Sequence, residues 1–388
     1  MLKKLTSNSW PLTPRRKSKK IILMTATGQG NLGDELILTQ EIRLLQEHMR
    51  PKKIRVFSHH RGNTRAFLQA HGVDMSNVQF REYTPNHIRK YPLKNLKNLV
   101  FMWWSFFTSS TVIIGGWGLL YDTSSEWWSG RSPLRLWQSR ARLARLFRCR
   151  LIFWSIGVST SDDVSGVFHW AIVTVRDSAS QKILAEQGID ASCIADPVFS
   201  YTPRPSRIVP HTPHEVIPDD HRKTVWLALR RKGLEEAFVS DLREFLESEG
   251  YEVVGMPHSM HPDDVYLDDE SFMDVAGVGC VQSFDEVISM YWEVDYMITN
   301  RLHAMILSVI HHIPVLPVVV NEKTNQMALD LELAHALNGK NKDITTLWNQ
   351  FVADDELQWS LKRYHDYISA KTVADFEQYL LPYLWDFS

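Results

Sequence analysis

The sequence predicts an α/β protein built from two doubly wound parallel sheets. Short apolar runs alternate with segments of helical periodicity, glycine-rich turns follow several of these runs, and the alternation starts again after a proline-rich stretch. A chain of 388 residues that is 44% hydrophobic can fill two such cores. The composition excludes disordered, collagen-like and small disulfide-stapled proteins.

The first half of the chain predicts one unit over residues 20–201. Strands are expected at 19–27 and 52–60 with a helix at 34–49 between them, and further strands at 151–157 and 174–177. The uncharged run 98–121 is long enough to span a bilayer, but it divides at the polar sequence TSST. It therefore predicts a buried helix followed by a strand, with a membrane segment as the alternative.

A linker and a second unit complete the expected organisation. Residues 202–223 contain five prolines, which resist both helix and central strand, and they predict a linker. Alternating strands and helices resume over 224–388. Residues 1–19 predict a basic flexible leader, because they lack the apolar region of a signal peptide.

The net charge of −2 conceals a strong asymmetry. Residues 1–150 carry 26 basic and 8 acidic residues, whereas residues 151–388 carry 17 and 37. This asymmetry indicates a polyanionic or membrane-surface partner for the first half, and a nucleic-acid binder would more often be basic throughout. The densest part, Arg131–Arg150, has seven arginines, no acid and interspersed apolar residues. Such a helix is typical of a membrane interface and equally of a solvated face.

A glycine motif, GQGNLGDE, follows the first predicted strand at Gly28–Glu35. It matches the GxGxxG pattern of dinucleotide sites, but no acid ends the second strand, and Asp34 and Glu35 would repel a pyrophosphate at the helix N-terminus. NAD is therefore not expected. The two carboxylates are candidates for binding sugar hydroxyls or acting as bases, with helix capping as the alternative. Gly30 and Asn31 are candidate substrate-binding residues.

A second glycine motif, IIGGWGLLYD, ends an apolar strand at Ile113–Asp122. Gly115 and Gly116 permit close approach of the backbone to a ligand. Asp122, at the end of the motif, is a further candidate for substrate binding. A tight turn from strand to helix explains the same glycines equally well.

The third motif, ITNRLHAMILSVIHH, is the most informative. Asn300 ends a predicted strand, and Arg301 and His303 stand where the next helix begins. A helix N-terminus beside a fixed guanidinium binds phosphate or carboxylate, and His303 is positioned to move protons, unless it is a structural histidine. Arg230 closes the first strand of the second unit and is expected at the same rim.

The sequence shows no convincing metal cluster. His258, His261, Asp263 and Asp264 have ligand chemistry, but a polar loop after a strand explains them better. The three cysteines lie far apart and in no CxxC spacing, which favours neither a zinc site nor a disulfide framework and fits a reducing cytosol.

The order of the motifs resembles that of bacterial polysaccharide pyruvyl transferases over about residues 20–330. The matching segments are GNLGDE, IIGGWGLLYD, VRDSAS, IADPVF, LALR and TNRLHAMILSVIHHIPV. The resemblance implies a GT-B-like fold of two Rossmann-type domains facing a cleft. It also implies transfer of pyruvate from phosphoenolpyruvate to two hydroxyls of a sugar, as a cyclic ketal.

The resemblance assigns roles to individual residues. His303 is the implied acid/base, and Arg301 and Arg230 hold the phosphate and carboxylate of phosphoenolpyruvate. Trp117 stands where the family more usually has glycine. The sequence NEKTNQ stands where the family commonly has a YDPK-like stretch, and Lys323 of NEKTNQ retains the basic role.

The expected protein is a cytosolic enzyme that uses phosphoenolpyruvate as co-substrate and needs no metal or other cofactor. The acceptor is a saccharide or a lipid-linked oligosaccharide, and Asp34 or Glu35 assists the proton transfers. An anionic membrane surface on the inner face of the cytoplasmic membrane is an expected partner through Arg131–Arg150, and nucleic acid is not. Two alternatives stay open: a glycosyltransferase with a nucleotide-sugar donor, and a non-catalytic glycan-binding or scaffold protein.

Overall fold

The computed structural model forms two compact units. The first comprises residues 1–29, 34–197 and 371–388, and the second comprises 30–33 and 198–370. The described residues are 19–83, 92–116, 120–121, 133–159, 163–168, 170–203, 222–230, 234–259, 283–320, 322–333, 335–338 and 344–385.

Seven strands of the first unit form one parallel sheet. They are β1 (Lys20–Met24), β2 (Lys53–Ser58), β3 (Val78–Glu82), β4 (Thr111–Gly115), β6 (Arg150–Ile156), β8 (Ile172–Val175) and β9 (Ser192–Cys193). Two short strands, β5 (Leu120–Tyr121) and β7 (Val158–Ser159), pair separately. The order of the large sheet is β3-β2-β1-β4-β6-β8-β9. The order reverses direction between β1 and β4, which is where open α/β sheets bind ligands.

Helices connect these strands, as parallel pairing requires. They are α1 (Leu32–Met49), α2 (Arg61–Ala70), α3 (Pro92–Thr108), α4 (Pro133–Leu146), α5 (Ser165–Phe168) and α6 (Ser178–Glu186). The start of α6 is fixed by Asp177, whose carboxylate accepts a hydrogen bond of 2.7 Å from the backbone N–H of Ser180.

Both faces of the first sheet are buried. Ile22 and Met24 belong to one apolar cluster and Ile21 and Leu23 to the other, as the two-residue period of a strand requires. The second cluster also contains Phe376, Leu380 and Leu384, and the ring of Phe376 lies 5.1 Å from that of Trp154. The end of the chain therefore completes the core of the first unit.

The second unit contains a five-stranded parallel sheet. Its strands are β10 (Thr224–Ala228), β11 (Glu252–Gly255), β12 (Tyr296–Thr299), β13 (Val315–Val319) and β14 (Leu337–Asn338), in the order β11-β10-β12-β13-β14. The strand order reverses between β10 and β12.

The remaining helices follow the strands of the second unit. They are α7 (Glu236–Ser248), α8 (Phe284–Met290), α9 (Leu302–His311), α10 (Glu322–Asp330), α11 (Ile344–Val352) and α12 (Leu357–Asp375). A π-helical turn at Phe376–Leu380 and a last helix, α13 (Leu381–Trp385), end the described chain.

The predicted fold class is confirmed, while the unit boundaries differ from those expected. Residues 371–388 belong to the first unit, and Phe376, Leu380 and Leu384 pack in its core. Residues 30–33 belong to the second unit. Most of the predicted linker, 204–221, and of the leader, 1–18, lies outside the described residues.

The uncharged run divides into α3 and β4 as expected. The prediction that its helix is buried was wrong for one face, because Trp103 and Trp104 are about half exposed. Among the described helices, none combines the length and the apolar character that crossing a bilayer requires.

Candidate active site

The point where the strand order of the second sheet reverses brings Arg230 and Asn300 together. Ala228 of β10 pairs with Thr299 of β12, so the residues that follow these strands leave the sheet side by side. The Asn300 side chain accepts a 2.7 Å hydrogen bond from the Arg230 N–H and donates one of 2.8 Å to the Arg230 carbonyl. Asn300 is buried, whereas the Arg230 side chain is exposed. Asn300 therefore fixes the backbone from which Arg230 extends.

Arg301 is fixed in the same way by its neighbour. The Thr299 hydroxyl donates a 2.6 Å hydrogen bond to the carbonyl of Ala228 and accepts one of 3.0 Å from the N–H of Arg301. Arg301 stands at the N-cap position of α9 but makes no side-chain cap bond to the helix. Arg301 is half-buried, and its backbone stands at the positive end of the helix dipole, which suits an anionic group.

His303 lies in the first turn of α9, against Gly33. A Cβ atom added at Gly33 would overlap the imidazole ring, so only glycine permits this approach. The segment that contains Gly33 is attached to the second unit by two interactions. Asn31 forms an antiparallel bridge with Ser259, and the N–H of Leu32 donates a 3.0 Å bond to the carbonyl of His258.

The candidate Asn31 also serves its own turn. Its side-chain oxygen accepts a 3.0 Å hydrogen bond from the N–H of Gly33. The neighbouring candidate Gly30 has a φ of +76°, a conformation that favours glycine. Both residues therefore shape the loop that delivers Gly33 to the His303 ring.

A buried histidine–tyrosine pair supports this site, and sequence reasoning missed it. The Nε2 atom of His258 accepts a 2.6 Å hydrogen bond from the Tyr291 hydroxyl, while Nδ1–H donates to the carbonyl of Met256 at 3.3 Å. Burial, together with the positive charge of Arg301, lowers the pKa of His258 to about 3. Burial also raises the pKa of Tyr291 well above its ordinary value.

The pair is accordingly neutral and adds no charge beside Arg301. His258 lies in a loop after β11, as expected, but its side chain is 2% exposed because it packs against Tyr291. Burial against a tyrosine leaves no short-range pattern in the sequence, because the two residues are 33 positions apart. His261, Asp263 and Asp264 lie outside the described residues.

Glu35 of the first unit holds the glycine turn after β1. Its Oε1 atom accepts a 2.6 Å hydrogen bond from the Gly28 N–H and a longer one, 3.4 Å, from the Thr64 hydroxyl. Gly28 has a φ of +84° and lies against the backbone of His60, so a side chain does not fit there. Burial raises the pKa of Glu35 to about 7, although both hydrogen bonds oppose the shift. Asp34 is also buried.

The glycines at the end of β4 let α1 approach the sheet. A Cβ atom at Gly115 would overlap the carboxyl group of Glu41, and one at Gly116 would overlap the side chain of Ile37. Glu41 is fully buried, and burial together with the nearby Asp196 raises its pKa well above the ordinary range. The space that side chains at these two positions would need is thus occupied by α1.

The last two predicted substrate-binding residues are Asp122 and Lys323. Asp122 lies outside the described residues, and Lys323 belongs to α10 but its side chain is not among those described. Within the described part of the chain, no three His, Cys, Asp or Glu side chains are arranged to hold a metal ion.

Comparison with protein families places the site in context. Residues 31–322 match the family model described as polysaccharide pyruvyl transferase. The chain belongs to this family. The matched segment contains Arg230, Asn300, Arg301 and His303, and it covers most of the chain. Membership in the polysaccharide pyruvyl transferase family indicates an enzyme of polysaccharide biosynthesis. No curated protein sequence matches the chain.

Similar solved structures support the same fold. The UDP-GlcNAc 2-epimerase from Neisseria meningitidis, bound to UDP-GlcNAc, has a TM-score of 0.60 at 10% identity, covering 94% of this chain and 100% of that one. A second UDP-N-acetylglucosamine 2-epimerase has a TM-score of 0.61 at 13% identity, covering 95% and 97%. The glycotransferase of kitacinnamycin has a TM-score of 0.51 at 10% identity, covering 94% and 99%. At such identities the likeness shows a GT-B-like α/β fold alone.

Proposed function

We propose that this protein transfers pyruvate from phosphoenolpyruvate to two hydroxyls of one sugar, forming a cyclic ketal. The sugar belongs to an exported polysaccharide or to its lipid-linked precursor. The observation that carries the proposal is that Arg230 and Arg301 follow paired strands, with His303 in the first turn of the helix after Arg301. Asn300 holds the backbone of Arg230, and the Thr299 hydroxyl joins the N–H of Arg301 to the strand that precedes Arg230.

The donor explains why two arginines are needed. Phosphoenolpyruvate carries a phosphate and a carboxylate on the same carbon, and a planar guanidinium binds either group through paired hydrogen bonds. Arg301 beside the α9 N-terminus suits the phosphate, since the helix dipole adds to its charge. The exposed Arg230 side chain suits the carboxylate.

The reaction requires two sugar oxygens to bond to the same carbon of phosphoenolpyruvate. A proton adds to the methylene carbon of phosphoenolpyruvate, and the first sugar hydroxyl attacks the neighbouring carbon and loses its own proton. The second hydroxyl then attacks the same carbon, also losing its proton, while the carbon–oxygen bond to phosphate breaks. The products are the ketal and inorganic phosphate, so no redox partner is required.

His303 is the proposed proton carrier for these steps. An imidazole both gives and accepts protons near neutral pH, and the ring is held in place against Gly33. A carboxyl group with a pKa of about 7, as at Glu35, also suits acid–base chemistry. Asp34 or Glu35 is therefore the proposed second participant.

Phosphate release tests the proposal. The purified protein is incubated with phosphoenolpyruvate and a panel of free and lipid-linked glycans, and inorganic phosphate is measured. We expect acceptor-dependent release that is lost in Arg301→Ala and in His303→Ala, and retained in Arg363→Ala, which removes an exposed arginine of α12. Turnover of a UDP-sugar without consumption of phosphoenolpyruvate would instead indicate glycosyl transfer.

The place of action is part of the proposal. Lipid-linked precursors present their sugars at a membrane surface, and the basic first half of the chain suits an anionic one. We therefore propose a cytoplasmic enzyme that associates peripherally with the membrane.

A further inference from the structure

Helix α3 has one face packed on the first unit and one face open to solvent. Ser105 and Phe106 of the inner face are fully buried. On the outer face, large apolar side chains recur at helical spacing, and their exposed fractions range from 40% to 61%. They are Leu96, Leu99, Val100, Trp103, Trp104 and Phe107.

This apolar face is held in a fixed orientation. The buried guanidinium of Arg55 donates hydrogen bonds to the Ser105 carbonyl at 3.2 Å and to the hydroxyls of Thr108 and Ser109 at 2.6 Å and 3.1 Å. The Cys149 thiol donates to the Phe106 carbonyl at 3.2 Å. The open face of α3 is therefore presented by a rigid support.

An exposed apolar face of this kind indicates a binding surface. Single apolar side chains are normal on protein surfaces, but a continuous row of large ones is not, because each remains in contact with water. Between them lies a groove of about 410 Å³, lined by Leu96, Lys97, Val100, Phe101 and Trp104.

Exposed basic side chains occur at the end of α4, which lies next to α3. Trp103 makes an edge contact with Phe147, at 5.6 Å between ring centroids, which places the end of α4 next to α3. The exposed residues there are Arg142, Arg145, Leu146 and Arg148. No Asp or Glu occurs in residues 92–108 or 133–150.

Some of the arginines in the basic segment Arg131–Arg150 are buried and therefore cannot bind an external partner. Arg140 is buried, and its guanidinium stacks over the rings of Tyr83 and Trp137 at 3.9 Å and 4.2 Å. Arg150 is buried as well. Among the described arginine side chains of residues 137–150, the exposed ones are thus Arg142, Arg145 and Arg148.

We infer that α3 lies in the interface of an anionic lipid membrane. Tryptophan and phenylalanine enter the boundary between headgroups and acyl chains, while arginines beside them bind lipid phosphates. A second copy of the chain suits this face less well, because a two-fold contact would bring the same arginines together, and residues 92–108 and 133–150 contain no acid to pair with them. This inference specifies the membrane association within the proposed function, but it is tested by lipid binding and not by catalysis.

Vesicle co-sedimentation tests the inference. The full-length protein is mixed with vesicles of phosphatidylglycerol and phosphatidylcholine, or of phosphatidylcholine alone, at low and high salt. We expect sedimentation with the anionic vesicles that weakens with salt, because screening acts on exposed charges. The triple variant Arg142→Glu, Arg145→Glu, Arg148→Glu should bind at least about 100-fold more weakly, since each lost cation is worth about fivefold.

The apolar contribution is tested separately. The double variant Trp103→Ser, Trp104→Ser should weaken partitioning about tenfold or more. The matched control is Trp359→Ser, which replaces an exposed tryptophan of α12 and should bind like the wild type. If thermal unfolding shows that the double variant is misfolded, Leu96→Ser with Val100→Ser replaces it.

Three outcomes would overturn the inference. They are equal sedimentation with both kinds of vesicle, unchanged binding by the arginine and tryptophan variants, and a dimer that the tryptophan variant converts to a monomer without lipid binding. Phosphate release with a water-soluble acceptor should be unaffected by these variants, so failure of the membrane inference is distinguishable from failure of the proposed reaction.

Discussion

Replacing Asn300 with alanine should loosen Arg230 without touching its side chain. The substitution removes both hydrogen bonds that the amide makes to the Arg230 backbone, at 2.7 Å and 2.8 Å. It leaves one N–H and one carbonyl group without these partners.

The magnitude follows from the exposure of the two groups. A buried backbone group left unsatisfied costs about 1–3 kcal/mol. Arg230 is exposed, so water replaces part of the loss, and we expect the free energy of unfolding to fall by about 2 kcal/mol in total. Because a hydrogen bond to a charged group is worth about 1.5–3 kcal/mol, displacing Arg230 should raise the KM for phosphoenolpyruvate about tenfold.

Two assays and one control separate these effects. Urea unfolding measures stability, and phosphate release at varied phosphoenolpyruvate concentration measures KM. Asn349→Ala, at an exposed position of α11, should change stability by less than about 0.5 kcal/mol and leave KM unchanged. If Asn300→Ala behaves like Asn349→Ala in both assays, the positioning role of Asn300 is refuted.

Three further predictions concern Gly33, Glu35 and His258. Gly33→Ala should lower kcat about 100-fold by displacing the His303 ring, whereas Gly166→Ala, where the added methyl meets nothing within 4 Å, should leave kcat unchanged; equal kcat values would contradict this. Glu35 retains its proton in the folded state up to a pH of about 7, while the unfolded chain loses it near 4.5. The protonated Glu35 therefore contributes its full stability below pH 4.5. As the pH rises from 4.5 to about 7, the free energy of unfolding falls by about 1.4 kcal/mol per pH unit. Urea unfolding of Glu35→Gln across this range should lack that slope, and a slope equal to that of the wild type would disprove the assignment. The effect of His258 on stability has the opposite pH dependence. In the folded protein His258 stays neutral until the pH falls to about 3, whereas in the unfolded chain it binds a proton below pH 6.5. The free energy of unfolding therefore falls by about 1.4 kcal/mol per pH unit as the pH is lowered from 6.5 to about 3. Unfolding of His258→Gln should show a shallower acid slope than the wild type, and an unchanged slope would count against a neutral His258.

Local sequence patterns were sufficient to predict the fold class. Helix α1 begins within two residues of its expected start and ends at the expected residue, because an apolar face at helical spacing marks its whole length. The sequence also predicted the ends of β10 and β12 to within two residues, and hence that Arg230 and Asn300 stand at one edge of a sheet. Parallel pairing then follows from the alternation of strands and helices.

The remaining features depend on contacts between distant residues. The partner of His258 is Tyr291, and the residues that complete the first core include Phe376, near the end of the chain. The hydrophobicity of α3 was read as burial, yet hydrophobicity alone does not say whether the second face of a helix meets protein, water or lipid. Substrate binding by Asn300 stays a prediction, while the two hydrogen bonds of its amide to the Arg230 backbone left no pattern in the sequence.

The most direct test of the account follows the pyruvyl carbons themselves. Isotope-labelled phosphoenolpyruvate is incubated with the protein and a lipid-linked glycan, and the glycan is examined by mass spectrometry and NMR. We predict one labelled pyruvyl group per acceptor, a ketal carbon bonded to two sugar oxygens, and one phosphate released per transfer, all abolished in Arg301→Ala and His303→Ala. Label that never reaches any glycan of the panel, or that arrives undiminished with both variants, would contradict the account.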